Sequence, residues 1–460
     1  MVRQPAAVVV GAGPSGFYTA GQLLDAGFTV DMVDALPTPF GLVRAGVAPD
    51  HPKIKVVTRV FDKVAAREGF RFFGGLALGT DITREELLAH YDAVVYATGM
   101  PESSRLGLPG EDRPGSVSAT DFVAWYNGHP DAAQAQFDLS TRRAVVIGNG
   151  NVAIDVARIL VLHIDQLRAT DIADHAIDVL DRSAIEEVVV LGRRGPVQAA
   201  FTSPELREIA KLEDIDVHVD PRDLDIDEHS AASLTAASAT TQQNVQLLRD
   251  IATREPGTAR RRIALKFLWS PLEILGNGSD GPVTGLRIGR NRIESGDDGV
   301  LRAVPTGEEQ IIDCGMVVRS IGYRGRSIPG LPFDERSGRI PNVDGRLIDG
   351  GQVQPGEYVV GWVKRGPSGV IGTNKLCATD TTTAIIADRD TGRLNPAADS
   401  TPDASAALLL SRARSTVDWQ GWQAIDRAEC AAGQAGSRPR VKYVHRDDLF
   451  AAATTKPEPS

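Results

Sequence analysis

Cysteine is scarce in this sequence: Cys314, Cys377 and Cys430 are the only three, far apart and in no C-x-x-C pair. That spacing excludes a dithiol redox centre and leaves no ligand set for an iron–sulfur cluster. A sparse, odd count suits a reducing cytoplasm better than a disulfide-built secreted scaffold, so a cytoplasmic location is expected. No apolar run reaches the length of a membrane span, which argues against membrane insertion. The run Ala6-Ala7-Val8-Val9-Val10 follows a short basic region much as a signal peptide does, but Gly11, Gly13 and Pro14 interrupt it. Positive charge is in deficit, with 50 Lys and Arg against 60 Asp and Glu and a net charge of −10. A nucleic-acid binder should carry the opposite balance. No metal site is expected.

What is present is an ordinary globular composition, 42% hydrophobic and 24% charged over 460 residues, enough for two or three domains. Short apolar runs ending in glycine alternate with helical patterns, which signals an α/β fold with parallel strands. The clearest runs are Ala6–Val10, Thr29–Val33, Ala93–Ala97, Ala144–Ile147, Val188–Leu191, Val317–Ile321 and Tyr358–Val360. Two of them lead at once into a glycine turn and a helix, at Gly11 and Gly148, so two nucleotide-binding units are expected. Turn formers crowd Ser103–Gly115 and Arg324–Pro332, and read as crossings. The economical architecture is therefore one domain inserted into another. Residues 223–243 read as a surface segment. Helical patches such as Trp419–Cys430 follow near the C-terminus, and the polar tail from Thr454 is expected to be disordered.

The first turn is Gly11-x-Gly13-x-x-Gly16, opening a helix over Phe17–Ala26 that Gly27 can end; a second strand then finishes in Asp34. Gly11 permits the tight turn, Gly13 lets a pyrophosphate approach the backbone, and Gly16 allows close helix–strand packing. The helix N-terminus offers unpaired N–H groups, and Asp34 can accept from ribose hydroxyls. This pattern alone does not choose between FAD and NAD. The strand-plus-turn Val94-Val95-Tyr96-Ala97-Thr98-Gly99, together with a separate second turn, favours FAD here.

That second turn is Gly148-Asn149-Gly150-Asn151-Val152-Ala153, with Ala in the third position, a tolerated variant. Its second strand ends at Gly192 and continues Arg193-Arg194. A carboxylate there would repel a 2′-phosphate, whereas two guanidiniums bind it through charge-assisted hydrogen bonds, so NADPH is the expected donor. Arg193 lies well beyond the usual ~20 residues from the turn, and residues 161–186 read as an insertion in the crossover. The rival reading makes Asp165 or Asp171 the ribose contact and Arg193-Arg194 an ordinary loop.

Taken together these strings resemble one family, the adrenodoxin-reductase-type ferredoxin–NADP reductases, including actinobacterial ferredoxin/NADPH reductases. The resemblance runs nearly end to end. It is carried by Leu36-Pro37-Thr38-Pro39-Phe40-Gly41-Leu42-Val43-Arg44, by Gly46-Val47-Ala48-Pro49-Asp50-His51-Pro52-Lys53 and by Gly148–Ala153. It continues through Gly192–Thr202, through Arg319-Ser320-Ile321-Gly322-Tyr323 and through Gly361–Asn374.

The resemblance implies two Rossmann-like dinucleotide-binding domains, an FAD domain over residues 1–104 and 326–460 and an NADPH domain over 105–325 inserted into it. It implies flavin contacts at Ser15, Asp34, Leu42, Leu78, Trp362, Gly369, Val370 and Ile371. Relatives often carry a glutamate where this chain has Asp34. NADPH contacts would fall at Asn149, Gly150, Asn151, Val152, Arg193, Arg194, Glu205 and Gly369. His51 and Glu205 are the implied catalytic pair, acting in proton handling or nicotinamide placement. The implied reaction takes a hydride from NADPH to flavin and passes single electrons to a ferredoxin that feeds downstream oxygenases such as cytochromes P450. Alternatives are a general NADPH diaphorase, an electron-input subunit of a larger complex, or a non-catalytic nucleotide sensor.

Because ferredoxins are usually acidic, a net-acidic reductase needs a local basic face. Arg249, Arg254, Arg260, Arg261, Arg262 and Lys266 stand against only Asp250 and Glu255 in that stretch, and form the expected docking surface. A monomer is the expected state.

Overall fold

The computed structural model describes residues 3–255 and 257–454. Residues 455–460, on which most of the expected disordered tail falls, lie outside the described residues. The chain forms two compact units. One comprises residues 1–102, 127–133 and 322–460; the other comprises 103–126 and 134–321.

The first unit is built on a seven-stranded sheet in the order Asn342–Val343, Arg346–Asp349, Gln352–Val359, Ala93–Tyr96, Ala6–Val10, Thr29–Asp34 and Phe70–Gly74. From Gln352–Val359 onward every pairing is parallel. The central strands are apolar at every residue because both faces are covered. Ala7 and Val9 join one core with Phe17, Phe61 and Trp422, while Ala6, Val8 and Val10 join another with Leu87, Tyr91 and Leu347. The strand reversal beside Ala6–Val10 leaves a crevice position at its carboxyl end, where such sheets bind ligands.

The second unit repeats this plan with a six-stranded parallel sheet: Ser116–Ser118, Met316–Arg319, Arg143–Ile147, Glu187–Gly192, Arg261–Phe267 and Ile215–Val219. Helices Ile164–Arg168 and Asp174–Asp181 fill the crossover between Asn151–Val161 and Glu187–Gly192, where an insertion was expected. An antiparallel sheet of Trp269–Gly276, Val283–Ser295 and Leu301–Asp313 packs Ile274, Leu286, Ile288 and Ile312 onto Val145, Val189 and Val317. Sequence patterning did not reveal this sheet, since its outer strand is mostly exposed and interrupted by Pro305 and Gly307.

Residues 223–243 are not a plain surface segment. They enter helices Glu228–Ala236 and Ala239–Ala252, which Asp227 and Ser238 cap by accepting from the amides of Ser230 and Thr241. Most residues of this stretch are exposed, as expected of a surface segment, and its Asp227 and Ser238 are helix starts. Asp223 is buried, accepting from the Phe267 amide at 3.2 Å and pairing with Arg290 at 3.0 Å.

Helix Trp419–Ala435 locks onto the rest of the first unit through Glu429, which is fully buried. Its carboxylate accepts from Arg44 at 2.8 Å, from Arg440 at 3.1 Å and from the Tyr443 amide at 3.0 Å. Burial alone would raise this carboxyl's pKa, but Arg44 and Arg440 outweigh it and hold the pKa below its usual value. A depressed pKa adds stability that is complete above the unfolded-state pKa of about 4.3 and is lost as pH falls through the folded value. Glu429→Gln would leave Arg44 without its anion and Arg440 with Asp426 alone, and is expected to cost about 3 kcal/mol at pH 7. Urea unfolding should show that deficit shrinking below about pH 4.3; a deficit independent of pH would refute the charge-based account.

Candidate functional site: two glycine turns

In the first unit, helix Pro14–Asp25 begins on the residue after Gly13 and has no side-chain cap. Its first backbone bond runs from the Phe17 amide to the Gly13 carbonyl at 3.0 Å, so the Ser15 and Gly16 amides precede it. Some helices elsewhere in the chain are closed by Thr83, Asp227, Ser238, Thr401 and Asp418, while those starting at Asp174, Ser203 and Arg446 also lack a side-chain cap. An anion would supply the missing cap here.

The glycines divide the work by space. A Cβ on Gly11 would stand 2.4 Å from the Ala97 carbonyl oxygen, and one on Gly16 would stand 2.1 Å from that of Gly11. A Cβ on Gly13 would meet nothing within 4 Å. Gly11 and Gly16 are thus glycine for packing, while Gly13 faces open space that a side chain would otherwise occupy.

Asp34 closes the strand that follows. Its carboxylate accepts from the Ala12 amide at 2.7 Å and the Leu36 amide at 2.8 Å. Burial raises its pKa, and the two amide bonds work against that rise. Each oxygen keeps acceptor capacity for a hydroxyl.

Two features of this site were not foreseen from sequence. Phe40 holds a positive φ of 82° and donates its amide to the Ala12 carbonyl at 2.8 Å. At the next residue, a Cβ on Gly41 would come 3.1 Å from the Gly13 Cα. The Phe40 ring is held within 6.1 Å of Phe17, Phe61, Trp419 and Trp422, so aromatic packing fixes a backbone that Phe alone disfavours.

The remaining first-unit candidates are distributed as follows. Ser15 is buried and abuts Gly361, where a Cβ would lie 2.4 Å from the Ser15 hydroxyl. Trp362 opens the short helix Trp362–Arg365, its ring 5.2 Å from that of Tyr323. Leu42 is partly exposed, Leu78 is half-buried, and Gly369 and Val370 are exposed ahead of helix Ile371–Asp390. The Val370 amide donates to Thr373 at 3.2 Å. His51 stands at the start of helix Pro52–Lys55, its amide donating to Ala48 at 3.0 Å.

The second unit builds its turn the same way. Helix Asn151–Val161 has no side-chain cap. A Cβ on Gly148 would meet the Ser320 carbonyl oxygen at 2.0 Å, and one on Gly150 would meet nothing within 4 Å. Asn151 accepts from the Thr202 amide at 2.8 Å, and the Thr202 hydroxyl donates to the Glu205 carboxylate. Val152 lies half-buried in the first helical turn.

Arg193 and Arg194 follow the strand Glu187–Gly192, which pairs directly with Arg143–Ile147. Both side chains are exposed, and neither has an acidic partner among the described residues. Their carbonyls accept from Asn291 at 2.8 Å and from the Leu268 amide at 3.1 Å, so their backbone is held while the guanidiniums stay free. Asp165 instead sits in helix Ile164–Arg168 beside Arg168 at 3.2 Å, and is not at a strand end.

Two members of the expected basic cluster are matched by acids, while Arg249 is exposed with no acidic partner among the described residues. Arg260 pairs with Glu186 at 3.1 Å and Arg262 with Glu187 at 2.8 Å. Arg261 donates to the carbonyls of Val161 and Leu162, and Arg254 to that of Ala210. Lys266 lies 4.9 Å from the Trp269 ring centre. Counting charge along the chain missed the acids on neighbouring strands.

Residues 5–247 match the model of the pyridine nucleotide-disulphide oxidoreductase family. NADPH-ferredoxin reductase FprA of Mycobacterium tuberculosis is 50% identical over 454 residues, covering 96% of this chain and 97% of that protein. The chain belongs to the adrenodoxin-reductase-type ferredoxin–NADP reductases. NADPH:adrenodoxin oxidoreductase from Arabidopsis thaliana mitochondria is 41% identical over 458 residues, covering 97% of this reductase and 94% of its relative. The solved structure of Mycobacterium tuberculosis FprA in complex with NADPH superposes with a TM-score of 0.92 at 47% identity, covering 98% and 100% of the two chains. Among the described residues of the reductase, no helix is long and apolar enough to cross a membrane.

The two kinds of glycine separate by experiment. Gly148→Ala forces a side chain against a carbonyl at a φ of +123°, and should destabilise the unliganded protein by about 2 kcal/mol or more. Gly150→Ala, with open space around it, should melt within about 0.5 kcal/mol of wild type but bind NADP+ more weakly in calorimetric titration. Equal binding by the Gly150 variant would exclude close backbone approach there.

Proposed function

We propose that the chain is an FAD-dependent NADPH–ferredoxin reductase. FAD would sit on the domain formed by residues 1–104 and 326–460, and NADPH on residues 105–325. The observation that carries this reading is the duplicated uncapped turn with opposite chemistry at its strand end: a carboxylate at Asp34, and two unpaired guanidiniums at Arg193 and Arg194. The full-length relatives named as NADPH-ferredoxin reductase and NADPH:adrenodoxin oxidoreductase support it.

When bound, NADPH supplies a hydride, and FAD takes up its electron pair and releases the electrons singly to an iron–sulfur protein. The protein's part is to bind, orient and stabilise charge. The Gly11–Gly16 turn offers the Ser15 and Gly16 amides to the flavin pyrophosphate, and Asp34 accepts from the adenosine ribose. Leu42, Leu78 and Trp362 form apolar walls. Gly369, Val370 and Ile371 lead into helix Ile371–Asp390, whose first amides favour negative charge on the reduced ring. Asn149, Gly150, Asn151 and Val152 receive the second pyrophosphate, and Arg193 and Arg194 the 2′-phosphate. Glu205, tied through Thr202 to Asn151, and His51 place the nicotinamide or handle a proton. The three cysteines are unpaired, which supports a cytoplasmic location.

The purified protein should be yellow and should bleach anaerobically with NADPH far faster than with NADH. Removing both guanidiniums with Arg193→Ala/Arg194→Ala should cut NADPH kcat/KM by about 10²–10³-fold while changing NADH kcat/KM less than about threefold, each lost charged bond costing roughly 1.5–3 kcal/mol. An unchanged cofactor preference would return the 2′-phosphate contact to another residue. His51→Gln should slow flavin reduction by NADPH in single-turnover measurements, and an unaltered rate would remove His51 from the hydride step.

A further inference from the structure

The short helix Pro52–Lys55 runs through two further helical residues, Val56 and Val57, into helix Thr58–Ala65. Its inward side buries Phe61 and Ala65 in the core beneath helix Pro14–Asp25. The opposite side carries Val56, Arg59, Val60 and Lys63 at helical spacing, with Lys53 one turn before them. Val56 and Val60 are each 48% exposed, a large apolar exposure for two residues stacked on one helix face.

Lys53, Arg59 and Lys63 are exposed and have no acidic partner among the described residues. Nearby Arg67, by contrast, is paired with Asp25 at 2.9 Å, and Asp62 has Asp426 and Arg440 as its charged neighbours. Arg59 and Lys63 are like charges four residues apart, a pairing that weakens a helix rather than supporting it. Bare valines beside unneutralised cations on an otherwise acidic protein are poor for solubility and stability. They are what an apolar interface centre with a charged rim requires.

The stripe also adjoins the proposed flavin site along the chain. It begins two residues after His51, and helix Pro52–Lys55 packs against Leu42–Ala45, which follows Gly41 behind the first glycine turn. A protein docked here is therefore beside the loop that walls that turn.

We propose that Lys53, Val56, Arg59, Val60 and Lys63 form a docking surface for the acidic iron–sulfur protein that receives the electrons. This rests on the ferredoxin-reductase reading above. The cations complement the acidic partner and steer its approach, and the valines exclude water once it is seated.

The test uses the holoenzyme with a plant-type [2Fe–2S] ferredoxin, followed by cytochrome c reduction, and with ferricyanide as a small acceptor. Arg59→Glu/Lys63→Glu should raise the KM for ferredoxin by about tenfold and flatten its dependence on ionic strength. Ferricyanide turnover and FAD content should stay at wild-type levels. Val60→Ser should weaken ferredoxin turnover without altering the salt dependence. Wild-type ferredoxin kinetics in the charge-reversed variant would overturn this surface alone. A wild-type protein that reduces ferricyanide but not ferredoxin would overturn the ferredoxin-reductase reading, and this surface with it.

Discussion

A carbonyl oxygen stands 2.4 Å from where a side chain would begin at Gly11, and another stands 2.0 Å away at Gly148. In each unit that oxygen belongs to the end of the neighbouring parallel strand, at Ala97 or Ser320. The first strand can therefore turn into its helix only at a glycine, with a φ of +111° in one unit and +123° in the other. The helix then starts too abruptly to supply its own cap, and its first amides face the carboxyl ends of the strands. Anion affinity is in this sense a by-product of packing two parallel strands as closely as their pleat allows.

The same constraint produces a second correspondence that no single motif displays. In the first unit the Phe40 amide closes on the carbonyl of Ala12, at 2.8 Å; in the second, the Ala200 amide closes on that of Asn149, at 3.2 Å. Ala12 and Asn149 occupy the same place in their turns, and both loops follow the second strand of their unit. Each unit thus braces the open middle glycine from behind with a returning loop. The braces differ in kind: the first uses a strained Phe40 held by aromatic rings, the second uses the Asn151 side chain, which accepts from the Thr202 amide.

These differences explain what sequence could and could not reveal. The two turns, their strands and the contrast between Asp34 and Arg193-Arg194 were readable because each depends on residues close together in the chain. The positive φ of Phe40 was not, since Phe carries no signal for that conformation and the rings that hold it are as distant as Trp422. Asn291 was equally invisible, although it fixes the Arg193 backbone from a strand nearly a hundred residues away. Two arginines of the basic cluster, Arg260 and Arg262, show the same effect in reverse. Glu187 lies in register between Arg143 and Arg262 on adjacent parallel strands, so the Arg262 charge that looks free along the chain is matched across the sheet.

Register also decides which cations are left for a partner. On the sheets, neighbouring strands bring acids to arginines such as Arg71, Arg143, Arg262 and Arg287. On helix Thr58–Ala65 the neighbours within the helix are residues three and four along. For Arg59 these include Val56, Lys63 and Asp62, the last of which forms no ion pair with it and has Asp426 and Arg440 as its charged neighbours. A helix held to the core by Phe61 and Ala65, with Val57 and Val64 beside them, makes no packing use of that outer face. Charge surviving unpaired on it is therefore more informative than a larger count of arginines on a sheet, because folding would have been served equally well by glutamate at either position.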